Sequence, residues 1–250
     1  MKTAVFCALL LLLSGAANAE PSASYGIGPT DSGETLRFLR CGKRTLDFEA
    51  RIVACKQLIK DKGADSYAGY LLGQIYLAQG SLDDAHTVYD HMVAEGGSDP
   101  QAWAQRGAFF VAIGDMDSAM RDAEAAFSAA PNTPAAFIAR CFVRAVANRE
   151  LDAGLADCDA AFAKAPVDAN MLSTKGLILY RMGRMADAVA ALTSAINKDR
   201  DRIDAWSRYL RGLALTAQGN GVDADADIAA ANRIDPHIAD LFARYGVKAP

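Results

Sequence analysis

Small and apolar positions recur along this chain at a near-constant interval. Gly73, Gly107, Cys141, Gly176 and Gly212 each sit within an apolar stretch, and seven residues after each comes a turn-forming residue: Gly80, Gly114, Asn148, Gly183 and Gly219. Successive turn residues stand 34, 34, 35 and 36 positions apart. Five or six residues past each turn a second small residue appears, namely Ala85, Ala119, Gly154, Ala188 and Ala224, and Tyr89, Cys158, Leu192 and Ile228 lie one helical turn further on. This spacing predicts two helices per unit joined by a short turn. The paired small residues are needed where antiparallel helices cross closely. A turn glycine supplies the left-handed cap that ends the first helix, and Pro131, Pro166 and Pro236 stop the second. One hairpin cannot bury both of its apolar faces, so the units stack.

The stretch from Gln101 to Pro131 shows the unit most completely. Trp103, Gly107, Phe110, Ala119 and Pro131 fall where the tetratricopeptide pattern places an aromatic, a small residue, an aromatic, Ala and Pro. The chain resembles the tetratricopeptide-repeat family over about Ser66 to His237, as five units at 66–99, 100–133, 134–168, 169–202 and 203–236. The departures are local. The third unit has an extra turn residue and Cys141 for Gly, the fourth ends in Asp199-Arg200 without Pro, and Trp206 falls two residues early. The resemblance implies an all-α fold, a right-handed α-solenoid of stacked antiparallel helix pairs. It also implies a concave surface that binds extended peptides or helices.

The flanks read differently. Residues 1–19 have the pattern of a cleavable signal peptide: Lys2, an apolar run from Val5 to Leu13, and Ala17-Asn18-Ala19 before a cut after Ala19. The run is too short to span a bilayer, and no later segment is long and apolar enough, so the mature chain has no integral membrane segment. Its expected location is the periplasm or outside the cell. Residues 20–34 are rich in Pro, Ser and Gly and form a flexible lead-in. Residues 35–65 read as a degenerate helical hairpin, with Phe48, Ile52, Cys55 and Ile59 on one face. Residues 237–250 supply a capping helix and tail, with Asp235 as N-cap, Pro236 in the first turn, Ile238, Leu241, Phe242 and Tyr245 on one face, and Gly246 at the end.

The formal net charge is −4 and no basic stripe occurs, which argues against nucleic acid as a partner. Four cysteines remain after signal cleavage, and export permits disulfides. Cys141 and Cys158 face each other across one hairpin, which leaves Cys41 with Cys55. Buried free thiols stay open for Cys141 and Cys158. Zinc fits poorly, since no Cys-x-x-Cys pair or nearby His at ligand spacing is present.

A cation precedes the small residue in four units: Arg106, Arg140, Lys175 and Arg211. As a column they would receive an acidic ligand. The alternative is internal, because the units with Arg also carry Asp122, Asp157 or Asp227 on the second helix, whereas the Lys unit has Ala191 there. The pairs Arg106–Asp122, Arg140–Asp157 and Arg211–Asp227 are therefore expected as structural ion pairs, the favoured reading of the column.

By the register of the family, the groove is lined by Tyr67, Tyr70, Gln74 and Leu77, then Ala104, Ala108 and Val111, then Ile138 and Phe142. Ser173, Leu177, Tyr180 and Arg181 follow, and Leu213 with Thr216 completes it. A shift of register by one would turn some of these into core. Catalytic motifs are absent. His86 and His91 are five apart, a poor spacing for a ligand pair, and no nucleophile elbow, phosphate loop or zinc helix occurs. The expectation is a scaffold or adaptor with no cofactor, binding a protein or peptide in an apolar groove. Two alternatives are a non-catalytic subunit of an envelope assembly held by its convex face, and a binder of small molecules or glycans inside the superhelix.

Overall fold

The computed structural model describes residues 37, 39–43, 45–62, 67–97, 99–198 and 204–247. The signal peptide, the lead-in and the join at 199–203 lie outside them. Among the described residues, 37 and 39–42 are helical, twelve further α-helices follow, and there is no strand. The described residues divide into two compact units, one up to residue 112 and one from residue 113 on.

In the first unit, α1 (Phe48–Lys62) packs on α2 (Tyr67–Gln79), which pairs with α3 (Leu82–Gly96) and is followed by α4 (Pro100–Ile113). The buried face of α1 is Ile52, Ala54, Cys55 and Leu58, whereas Phe48, expected on that face, is exposed and Ile59 is half-buried. Helices α2 and α3 approach closely: a Cβ on Gly73 would stand 2.6 Å from the Tyr89 ring. His86 of α3 stacks on Phe109 of α4, with centroids 5.4 Å apart.

The second unit runs through α5 (Met116–Ala129), α6 (Pro134–Ala147), α7 (Leu151–Lys164), α8 (Ala169–Arg181), α9 (Met185–Lys198), α10 (Ala205–Ala217), α11 (Gly221–Ile234) and α12 (Ile238–Arg244). Each first helix, α6, α8 or α10, packs on the second helix of its own hairpin and on the second helix before it. Helix α8 also touches both α6 and α10. Thr133, Asp168 and Asp204 cap the three first helices by accepting a backbone N–H three residues on, each cap contributing about 1 kcal/mol. The extra residue of the third turn takes the chain through two left-handed positions, Asn148 at φ 54° and Glu150 at φ 49°.

Helix α12 closes the second unit with Ile238, Leu241, Phe242 and Tyr245 all buried. Phe242 lies 4.4 Å from Trp206 and 5.1 Å from Tyr209 between ring centroids. The expected cap is corrected here. Asp235 ends α11 and His237 occupies the N-cap of α12 without a side-chain bond. The Asp235 carboxylate instead accepts from the His237 N–H at 2.9 Å, bridging the two helices through the Pro236 turn.

Candidate functional site

The cation column is built into the packing. In α6, Arg140 donates from Nε and Nη2 to the two carboxylate oxygens of Asp157 at 2.8 and 2.6 Å, and from Nη1 to Glu124 of α5 at 3.2 Å. In α10, Arg211 does the same with Asp227 at 2.6 and 2.8 Å, and reaches back to Thr193 at 3.0 Å. Lys175 of α8 reaches back only, to Asp159 at 2.6 Å. In the first unit Arg106 donates to Asp90 at 2.8 Å. Two of the three expected hairpin pairs are thus present as bidentate contacts on buried carboxylates. Arg106 belongs to the first unit and Asp122, also buried, to the second.

Hydrogen bonding to Asp157 raises the Arg140 pKa above its ordinary value, against the opposing effect of burial. The Arg140 guanidinium also lies 3.5 Å from the centroid of the Phe127 ring. Arg144, one turn along α6, joins the same network. It donates to Asp157 and bonds Glu124 and Glu150, each at 2.9 Å. Arg144, Glu124 and Glu150 are not among the expected residues, although Arg144 follows Arg140 by four, the spacing that shares a helix face.

The fifteen expected groove residues separate into two groups. Tyr70, Leu77, Ala108, Val111, Phe142, Ser173, Leu177 and Leu213 are buried within the chain itself. Ser173 spends its hydroxyl on Ala169 O and on Ser207 of α10, 2.5 Å away. Tyr67, Gln74, Ala104, Ile138, Tyr180, Arg181 and Thr216 keep exposed or half-buried surface. Gln74 donates to the hydroxyl of the buried Tyr89 at 2.8 Å, and Tyr67 lies 5.8 Å from Tyr70.

Every charged residue on the five first helices is a cation: Arg106, Arg140, Arg144, Lys175, Arg181, Arg208 and Arg211. Among the described residues, Arg181 is the one of these that meets no carboxylate. Its Nη2 donates to Val146 O at 3.1 Å and to Tyr245 O at 2.5 Å, and its Nε is buried without a partner. Burial lowers the Arg181 pKa to about 10. The two carbonyls lie at the ends of α6 and α12, where a cation complements the helix dipole.

Both expected cysteine pairs are disulfides, Cys41–Cys55 with Cα atoms 4.9 Å apart and Cys141–Cys158 with Cα atoms 5.4 Å apart. No helix among the described residues is long and apolar enough to cross a membrane.

No family model matches the sequence, and no curated protein matches it either. Solved structures do. A tetratricopeptide repeat protein from Parabacteroides merdae superposes with a TM-score of 0.65 at 15% identity, over 86% of this chain and 83% of its own. PilW, a type IV pilus biogenesis factor, gives 0.64 at 14% identity, over 85% of this chain and 98% of its own. A thermophilic TPR protein of Thermus thermophilus gives 0.58 at 21% identity, over 71% and 95%. With the repeat spacing, these likenesses show that the chain has the tetratricopeptide-repeat fold.

Proposed function

We propose that this chain, a tetratricopeptide-repeat array, is an exported protein-binding scaffold whose first helices present the binding face. The observation that supports this most is the makeup of those helices. They bear no carboxylate, and in the second unit they leave Thr216 exposed and Ile138, Tyr180 and Arg181 half-buried. An apolar and aromatic face beside a cation without a carboxylate suits an amphipathic helix or extended segment, read through regularly spaced anchors. Export is proposed from the pattern of residues 1–19, and two disulfides suit an oxidising compartment.

The test is an affinity capture from envelope extract, with the mature chain beside an Ile138→Ser, Tyr180→Ser variant that melts like the parent. A partner held by the parent and lost from the variant supports the reading. A partner held equally by both overturns the first-helix face.

A further inference from the structure

We propose that a second binding site, for a carboxylate flanked by apolar side chains on a partner protein, lies in the cleft between α7, α8 and α9. The cleft is open to solvent and offers about 420 Å³. Leu155 and Phe162 of α7, Leu172 and Leu179 of α8, and Ala190 and Ala191 of α9 give it apolar walls, and Lys175 and Asp159 reach into it. The units on either side show what this place ordinarily holds. In each, the cation before the small residue takes a carboxylate from its own second helix: Asp157 on Arg140 and Asp227 on Arg211. The fourth unit keeps the cation as Lys175 but has Ala191 where the carboxylate belongs.

Lys175 retains its backward partner, Asp159, just as Arg140 retains Glu124. Arg140 carries that backward contact and its forward carboxylate together, so a backward partner does not use up the position. An ammonium has three donors and one is spent on Asp159. A partner carboxylate entering beside Ala191 would restore the contact that Asp157 and Asp227 make, while its apolar neighbours cover Leu155, Leu172 and Leu179. Arg184 and Asp187 line the rim, already bonded to each other at 2.8 Å.

The test uses two capped tripeptides, acetyl-Leu-Glu-Leu-amide and its Gln counterpart, titrated into the full mature chain and followed by the NMR methyl signals of Ala190, Ala191 and Leu172. The Glu peptide should bind about tenfold tighter than the Gln peptide, the effect of one charge-assisted hydrogen bond. Lys175→Gln should make the two peptides equal. Ala191→Asp, which supplies the carboxylate from within, should abolish Glu-peptide binding and raise the melting temperature. Equal binding of the two peptides by the parent, Glu-peptide binding retained by Ala191→Asp, or binding of neither peptide would overturn the site. The inference rests on the protein-binding reading but not on the first-helix face. Ile138→Ser alone, at a residue that does not line the cleft, should bind the Glu peptide as the parent does, so failure at one face is read separately from failure at the other.

Discussion

Arg140 grips Asp157 along one full edge of its guanidinium, Nε to Oδ2 at 2.8 Å and Nη2 to Oδ1 at 2.6 Å. Asp157 is 4% exposed, and its carboxylate also accepts from Arg144. Removing it leaves two guanidinium groups short of a counter-charge inside the packing of α6 on α7. Asp157→Ala should therefore lower stability by about 3 kcal/mol in a denaturant titration. Asp159→Ala removes the partner of Lys175 at a more exposed site and should cost about 1 kcal/mol or less. Equal losses would mean that the bidentate pair has no special structural weight.

Tyr89 makes stability depend on alkaline pH. Burial raises its pKa well above the ordinary value, outweighing the Gln74 hydrogen bond, which favours ionisation. Below the unfolded pKa of about 10 both states keep the proton. Above it the unfolded chain releases the proton and the native state retains it, so stability falls as pH rises. Tyr245, raised mainly by burial, acts in the same direction. Denaturation midpoints at about pH 9 and about pH 11 should differ less for Tyr89→Phe than for the parent. An unchanged difference would rule out the phenol as a source.

The helix crossings fix residue size. A Cβ on Gly176 would stand 2.6 Å from Leu192 Cγ, while one on Gly221 would meet nothing within 4 Å. Gly176→Ala should lose about 1–3 kcal/mol to overpacking, more than the gain in helix propensity returns. Gly221→Ala, at the start of α11, should be neutral or slightly stabilising. Thermal melts of the two variants decide this, and a stabilised Gly176→Ala would show that the crossing is looser than described.

The two disulfides close loops of similar length, with sequence separations of 14 and 17. Replacing Cys141 and Cys158 by Ala should lower stability by about 2–4 kcal/mol under oxidising conditions. Under reduction, the difference from the parent should shrink to the small packing change. A deficit that persists undiminished in reductant would assign the effect to packing alone.

Much of the fold was legible because repetition compounds local signals. Gly73, Gly176 and Gly212 mark helix crossings that the structure contains, and a Cβ at any of them would stand 2.6 Å from the facing side chain. The bidentate pairs were legible too, since Arg140 and Asp157 share one hairpin. What escaped depends on packing between units. Phe142, Leu177 and Leu213 each follow the small residue by one and are buried, and the periodicity of a single helix does not record which neighbour covers it. Arg181 is fixed by carbonyls 35 and 64 residues away in sequence, contacts that no local pattern encodes. Asp235 has the residue type of an N-cap, but the Pro236 turn makes it the end of α11 instead.

The most direct test of the binding face is site-specific photo-crosslinking. A photoreactive side chain would be placed at Ile138 or Thr216 on the first helices, and at Val222, 83% exposed on the second helix α11. The mature chain would be irradiated in envelope extract. One shared product from Ile138 and Thr216, with none from Val222, is the predicted result. A product from Val222 alone would contradict the account and move the partner off the first-helix face.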